Sequence, residues 1–139
     1  MIGIILTGHG SFPSGMLESI QLITGEIKQI QVVLFEEDQV KLEEELEQAM
    51  IEVNSGSGVV FFTDLAGGTP FNISSKLAAE ADDIRVLGGI NSPMLLSAVF
   101  QREQELDLFV EKIVKDGKDN IKQFKLKSVK ELENAEDGI

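Results

Sequence analysis

The chain contains one histidine, His9, and it stands between two glycines in the run Thr7-Gly8-His9-Gly10-Ser11. Imidazole can accept and release a group at neutral pH, because one ring nitrogen carries a proton while the other holds a free electron pair. As a nucleophile it needs a neighbour that fixes its tautomer, and a carboxylate does this well. Asp64 is the candidate, since it directly follows the apolar run Val59 to Thr63 and opens the segment DLAGGTPFN, residues 64–72. The same segment offers an anion cradle: Gly67 and Gly68 expose backbone N–H groups, Thr69 adds a hydroxyl, and a helix beginning at Pro70 points its positive end at the same place. These residue types suit a phosphoryl group carried on His9. Each also has a plainer explanation when taken alone, His9 as a hydrogen-bonded loop histidine and Gly-Gly-Thr-Pro as helix capping.

The inventory removes several other chemistries. With no cysteine there are no disulfides, zinc-thiolate sites or cysteine nucleophiles, and a single histidine excludes a multi-histidine metal cluster. A dinucleotide fingerprint starting at Gly8 finds Pro13 where its third glycine belongs. Gly10 to Gly15 has P-loop spacing, but Met16 replaces the lysine. No G-x-S-x-G elbow is present, and Asn72-Ile73-Ser74 is read as an incidental match to a glycosylation acceptor. The expectation is therefore neither metal nor cofactor. The formal charge of -12 disfavours nucleic acid and anionic lipid and makes basic protein surfaces the more plausible partners, although on charge alone plain solubility is the better explanation.

The elements that must position these residues are legible as four short apolar runs, Ile2 to Thr7, Ile30 to Phe35, Val59 to Thr63 and Ile84 to Leu87, separated by helix-length segments. They read as buried parallel strands. Leu42, Leu46, Ala49, Met50 and Val53 mark an amphipathic helix over Asp38 to Asn54, whose glutamates form a solvated face. Thr69-Pro70 and Ser92-Pro93 each place a hydroxyl residue at an expected N-cap and proline at the first helical position. Leu106, Phe109, Val110 and Ile113 mark a further helix near Glu105 to Lys115. Ile121 to Val129 alternates, with Phe124 and Leu126 between lysines, as a half-exposed edge strand would, and 131–139 read as a polar tail.

Repeated β-α units imply an open, doubly wound α/β sheet in the flavodoxin-like order 2-1-3-4. In that order the first and third strands are neighbours, so the loops bearing His9 and Asp64 converge at the carboxyl ends of the strands. No apolar run approaches the ~18 residues of a membrane helix, and the opening strand lacks the basic leader of a secretory signal. The chain is thus read as one cytoplasmic domain over residues 1–130.

Three segments, TGHGSFPSGM at 7–16, FTDLAGGTPFNIS at 62–74 and GGINSPMLL at 88–96, resemble the mannose-family enzyme IIA of the bacterial phosphoenolpyruvate-dependent sugar phosphotransferase system. The resemblance covers nearly the whole chain. It implies that His9 is the phosphorylated histidine, that Asp64 orients it, and that Gly68 and Thr69 bind the phosphoryl oxygens. It further implies uptake from the carrier protein HPr and delivery to a histidine of a IIB partner, with the membrane IIC and IID components involved indirectly and no nucleic acid. Phe12 and Met94 are the candidate partner contacts. A homodimer is implied too, in which residues 121–129 form an antiparallel strand exchanged onto the partner's sheet. Two other roles stay open at this point: the phosphocarrier subunit of a dihydroxyacetone kinase, and a stand-alone regulatory domain that senses phosphorylation. The second is disfavoured by the lack of a basic DNA-binding segment. A module that binds an anion at Thr69 without modifying His9 is a third.

Overall fold

The computed structural model describes residues 1–126. Its elements follow in the order β1 (Gly3–His9), α1 (Phe12–Thr24), β2 (Ile30–Phe35), α2 (Gln39–Val53), β3 (Val59–Thr63), α3 (Thr69–Ala78), β4 (Ile84–Leu87), α4 (Ser92–Val99) and α5 (Leu106–Asp119). The four strands form one parallel sheet in the order β2-β1-β3-β4, as expected from the sequence. Register places Thr7 opposite Thr63 and His9 opposite Phe35, so the carboxyl ends of β1, β2 and β3 lie side by side.

Strand alternation divides the core into two layers. Ile4, Leu6, Val60 and Phe62 face Ile20 of α1, Leu95 of α4, and Phe109 and Ile113 of α5. Ile5, Val59 and Phe61 face Leu42, Leu46 and Val53 of α2 and Leu77 of α3. Because β1 and β3 are covered on both sides, they read in sequence as unbroken apolar runs rather than as alternating ones. Burying each of these large side chains contributes ~1.5–3 kcal/mol, which makes the central pair a rigid base for the loops above it.

The structure differs from the sequence expectations in three places. First, β1 runs on through His9 and α1 starts at Phe12, so only Gly10 and Ser11 connect them. Gly10 makes this tight turn with a φ of 56°, a left-handed value that glycine adopts without a steric penalty. Pro13 in the first turn of α1 was the unread helix-start signal. Second, the N-caps of α3 and α4 are Gly68 and Asn91, one residue before the expected Thr69 and Ser92. For α4 the reason is chemical: the Asn91 side chain accepts the amide of Met94, 3.2 Å away, so the preceding residue performs the capping. Third, α5 extends to Asp119, and residues 121–126 carry no strand pairing. The remainder of the expected strand, 127–129, and the tail at 131–139 lie outside the described residues.

Candidate active site

His9 is the last residue of β1 and Asp64 the first residue after β3. One carboxylate oxygen, Asp64 Oδ2, accepts two hydrogen bonds from His9, from its backbone N–H at 2.9 Å and from ring Nδ1 at 2.8 Å. An ionised carboxylate only accepts, so Nδ1 carries the proton and Nε2 holds the free electron pair. The other oxygen, Oδ1, accepts the amide of Leu65 at 2.9 Å. A single acid thereby fixes the backbone, the ring rotamer and the tautomer of His9 together. The Asp64 side chain is 9% exposed and the His9 ring 46% exposed, so the anchor is sheltered while the working edge is open.

Burial pulls the Asp64 carboxyl upward, but the hydrogen bonds from the His9 backbone and ring, the attraction of that ring and the Leu65 amide outweigh it. The net effect holds the group below its ordinary value, so it is anionic throughout the physiological range.

Two neighbours complete the support of the ring. Phe35, the register partner of His9 on β2, meets the imidazole edge to face, with centroids 5.6 Å apart and planes at 77°. Gly8 lies against Asp64 so closely that a Cβ there would sit 2.9 Å from the carboxyl carbon. Glycine is thus required before His9 because the carboxylate occupies the space beside it.

The predicted anion cradle also adjoins the ring. A Cβ on Gly68 would fall 3.3 Å from His9 Cε1, which places the imidazole against the start of α3. No side chain caps that helix N-terminus, and Thr69 is its first residue, so the positive end of the helix and the Thr69 amide remain open there; the Gly68 amide, expected to be free, instead donates to the Leu65 carbonyl at 3.1 Å, because the turn before the helix closes on itself. Of the residues singled out in the sequence, His9, Asp64, Gly68 and Thr69 therefore gather at one point. Phe12 is 37% exposed at the first position of α1, on the same rim of the sheet. Met94 is not on that rim: it is 6% exposed and packs in the core against Gly117 of α5, so its side chain does not present a partner contact. Sequence reasoning missed Phe35, whose role depends on the β1–β2 register, a long-range quantity with no local signal. It also passed over the size constraint at Gly8, for which the glycine itself was the clue.

An open α/β sheet that sets a carboxylate-bound imidazole beside a helix N-terminus without a side-chain cap is an arrangement able to receive an anionic group. Comparison with known proteins gives the family. Residues 3–114 match the EIIA-man family model, described as the PTS system fructose IIA component. The fructose-specific EIIA component of Bacillus subtilis is 35% identical over 105 residues, which cover 74% of this chain and 72% of that protein. The mannose-specific EIIAB component of Escherichia coli is 27% identical over 138 residues, 96% of this chain but 43% of that protein. Among solved structures, phosphotransferase system component EIIA from Streptococcus agalactiae superposes with a TM-score of 0.82 at 35% identity, covering 89% of this chain and 98% of that one. The chain belongs to the EIIA-man family of the sugar phosphotransferase system, and its general role is that of a phosphocarrier in that system. Among the described residues, no helix is long and apolar enough to cross a membrane.

Proposed function

We propose that His9 is the residue that carries the phosphoryl group, received from phospho-HPr and passed to a histidine of a IIB partner. The 2.8 Å bond between His9 Nδ1 and Asp64 Oδ2 is the observation that carries this reading, because it leaves Nε2 as the nucleophile. In the uptake step the Nε2 electron pair attacks phosphorus in line, a new N–P bond forms, and the N–P bond of the donor histidine breaks with its electron pair returning to the donor ring. The Nδ1 proton stays on its hydrogen bond, and Asp64 balances the positive charge that develops on the ring. The Thr69 amide and hydroxyl and the α3 dipole stabilise the equatorial oxygens, while Gly68, whose own amide is bonded to the Leu65 carbonyl, leaves room for the group beside the ring. Delivery to the IIB partner is the same step reversed. Histidine-to-histidine exchange replaces one N–P bond with another, so positioning and charge stabilisation supply most of what the protein must contribute.

Phe12, exposed beside the site, is the side chain we assign to partner contact. The docking surfaces are expected to be basic, in keeping with the net charge of -12. We also read the protein as cytoplasmic and as a homodimer that exchanges residues 121–129. In support of the exchange, β4 is an edge of the sheet, and Ile121, Phe124 and Leu126 are largely exposed just beyond α5.

The test is incubation with phosphoenolpyruvate, the general first enzyme of the system and HPr, followed by intact-mass measurement. Gain of one phosphoryl group, labile to acid and absent in His9→Ala, is expected. A wild-type chain that gains no mass, or a His9→Ala variant that still gains it, refutes the assignment.

A further inference from the structure

Asn91 ties together two helix ends beside the site, and this has a consequence for Asp64. Its side-chain oxygen accepts the Met94 amide at the start of α4, while its side-chain nitrogen donates to the Gly117 carbonyl in the last turn of α5, 3.0 Å away. The Gly117 carbonyl is one of the last four of α5, which a helix end leaves without an intrahelical bond, and the Met94 amide is shared between the side-chain and backbone oxygens of Asn91. The fit is close: a Cβ on Gly117 would lie 2.3 Å from Met94 Cγ and 3.2 Å from Asn91 Oδ1. The loop that Asn91 ends, Gly88 to Ile90, is in turn bound to the Asp64 loop. Ile90 N–H donates to the Thr63 carbonyl at 3.2 Å, the Thr63 hydroxyl donates to the Leu87 carbonyl at 2.8 Å, and Gly88 lies so near Ala66 that a Cβ would meet its Cα at 2.7 Å. Thr63 and Ala66 bracket Asp64.

We infer that Asn91 is a positioning residue of the phosphoryl-transfer site, a clamp that seats the β4–α4 loop under the β3–α3 loop and so sets the reach of the Asp64 carboxylate to His9. The inference rests on the phosphocarrier reading for its effect on rate, but the geometric half stands apart from it. Asn91 touches neither His9 nor the transferred group; it acts through the loop that carries Asp64. A displacement of roughly 1 Å in such a support can cost up to about a hundredfold in rate.

Asn91→Asp separates the two duties of the side chain. A carboxylate still caps α4 by accepting the Met94 amide, and aspartate is among the best N-cap residues. It cannot donate to Gly117, and it sets a negative charge against that carbonyl. The expected result is a chain that still folds at about 25 °C with a melting temperature lowered by several degrees, a shift in the ¹⁵N signals of the His9 ring away from the Nδ1-protonated pattern, and a phosphoryl-uptake rate from phospho-HPr lower by about tenfold, the scale of one lost hydrogen bond. In an Asp64→Asn background the same change should cost little further rate, since the group it positions is already gone. Unchanged His9 ring signals in Asn91→Asp, or an equal loss in both backgrounds, overturns the clamp. If instead the wild-type chain takes up no phosphoryl group while the ring signals still respond to Asn91→Asp, the phosphocarrier reading fails and the clamp on Asp64 survives.

Discussion

Replacing Asp64 by asparagine is the sharpest single test of the site, because it keeps the volume and removes the charge. The carboxylate accepts three hydrogen bonds, from the His9 backbone, the His9 ring and the Leu65 amide. An amide cannot reproduce this set. With its oxygen toward His9, the amide NH2 faces the Leu65 N–H, and two donors oppose each other. Turned the other way, the NH2 faces the His9 N–H and donates to Nδ1, which moves the ring proton to Nε2 and removes the nucleophile. Hydrogen bonds to a charged acceptor contribute about 1.5–3 kcal/mol and neutral ones about 0.5–1.5 kcal/mol. Weakening the two bonds to His9 therefore costs roughly 2–3 kcal/mol, and the upper part of that range is reduced because the ring is nearly half exposed and screened. The corresponding loss in rate is about 30-fold to 100-fold, and a population with the inverted tautomer pushes it to roughly 10² or more. Rapid-quench measurement of uptake from phospho-HPr reads this rate, and ¹⁵N spectra of the ring read the tautomer. An uptake rate indistinguishable from wild type would remove Asp64 from the mechanism.

Gly8→Ala is expected to reproduce most of that loss without touching a functional group, because the new methyl would lie 2.9 Å from the Asp64 carboxyl carbon and 3.1 Å from Oδ2, forcing the acid off His9; normal uptake in a folded Gly8→Ala chain contradicts the packing argument. The Asp64 carboxyl lies below its ordinary value in the folded chain, so above the unfolded value of ~4 it is ionised in both states and contributes fully to stability. As pH falls below ~4 the unfolded chain takes up the proton first, and the contribution fades until the folded carboxyl is protonated as well. Urea denaturation of wild type and Asp64→Asn should accordingly give a constant stability difference near neutrality that narrows in acid, and a difference that stays constant in acid speaks against the assignment. At the other end of the sheet, Arg102 is 6% exposed and its guanidinium donates to the carbonyls of Ile2, Lys28 and Gln29. Arg102→Met should destabilise the fold by ~2–4 kcal/mol through the carbonyls left unpaired, with phosphoryl uptake by the remaining folded protein unchanged; a fall in uptake at full folding would mean that the two ends of the sheet are coupled.

Much of the molecule was readable before any coordinates because its sheet is parallel. β3 is buried along its whole length, and the edge strands β2 and β4 are apolar but for Gln31 and Arg85, so all three appear in the sequence with their observed ends, whereas β1, expected over Ile2 to Thr7, runs over Gly3–His9. That error has a local cause: Thr-Gly-His-Gly has a loop-like composition, yet Gly8 is in the strand because only a residue without a side chain fits beside Asp64. His9 and Asp64 were found by residue type and by their positions at the ends of adjacent strands. Phe35 and Asn91 were not. The first depends on the register between β1 and β2, the second on a meeting of two helix ends 26 residues apart in sequence, and neither leaves a periodic or compositional trace. Met94 was misplaced for a related reason: it follows Pro93 in a segment singled out for the site, but helical geometry turns it inward onto Gly117.

The arrangement also explains why the acid comes from β3 rather than from the loop that bears the histidine. A carboxylate within the two-residue turn Gly10-Ser11 would move with the ring it is meant to orient, and the solvent around that turn would screen it. Placed at the end of β3, Asp64 is anchored to a strand whose residues are all buried and is braced from behind by the β4–α4 loop. Its single oxygen then reaches across to bind a backbone amide and a ring nitrogen of the same residue. The backbone bond ties Asp64 to the end of β1, and the ring bond uses that fixed point to hold the imidazole. The ring therefore has its orientation set before a donor protein arrives, and little ordering remains to be done during transfer. Loss of the backbone bond alone, for example by ester substitution of the peptide linking Gly8 to His9, should slow uptake even though every side chain of the site is intact. A normal rate in that semisynthetic chain would show that the ring bond suffices and that the double attachment is incidental to transfer.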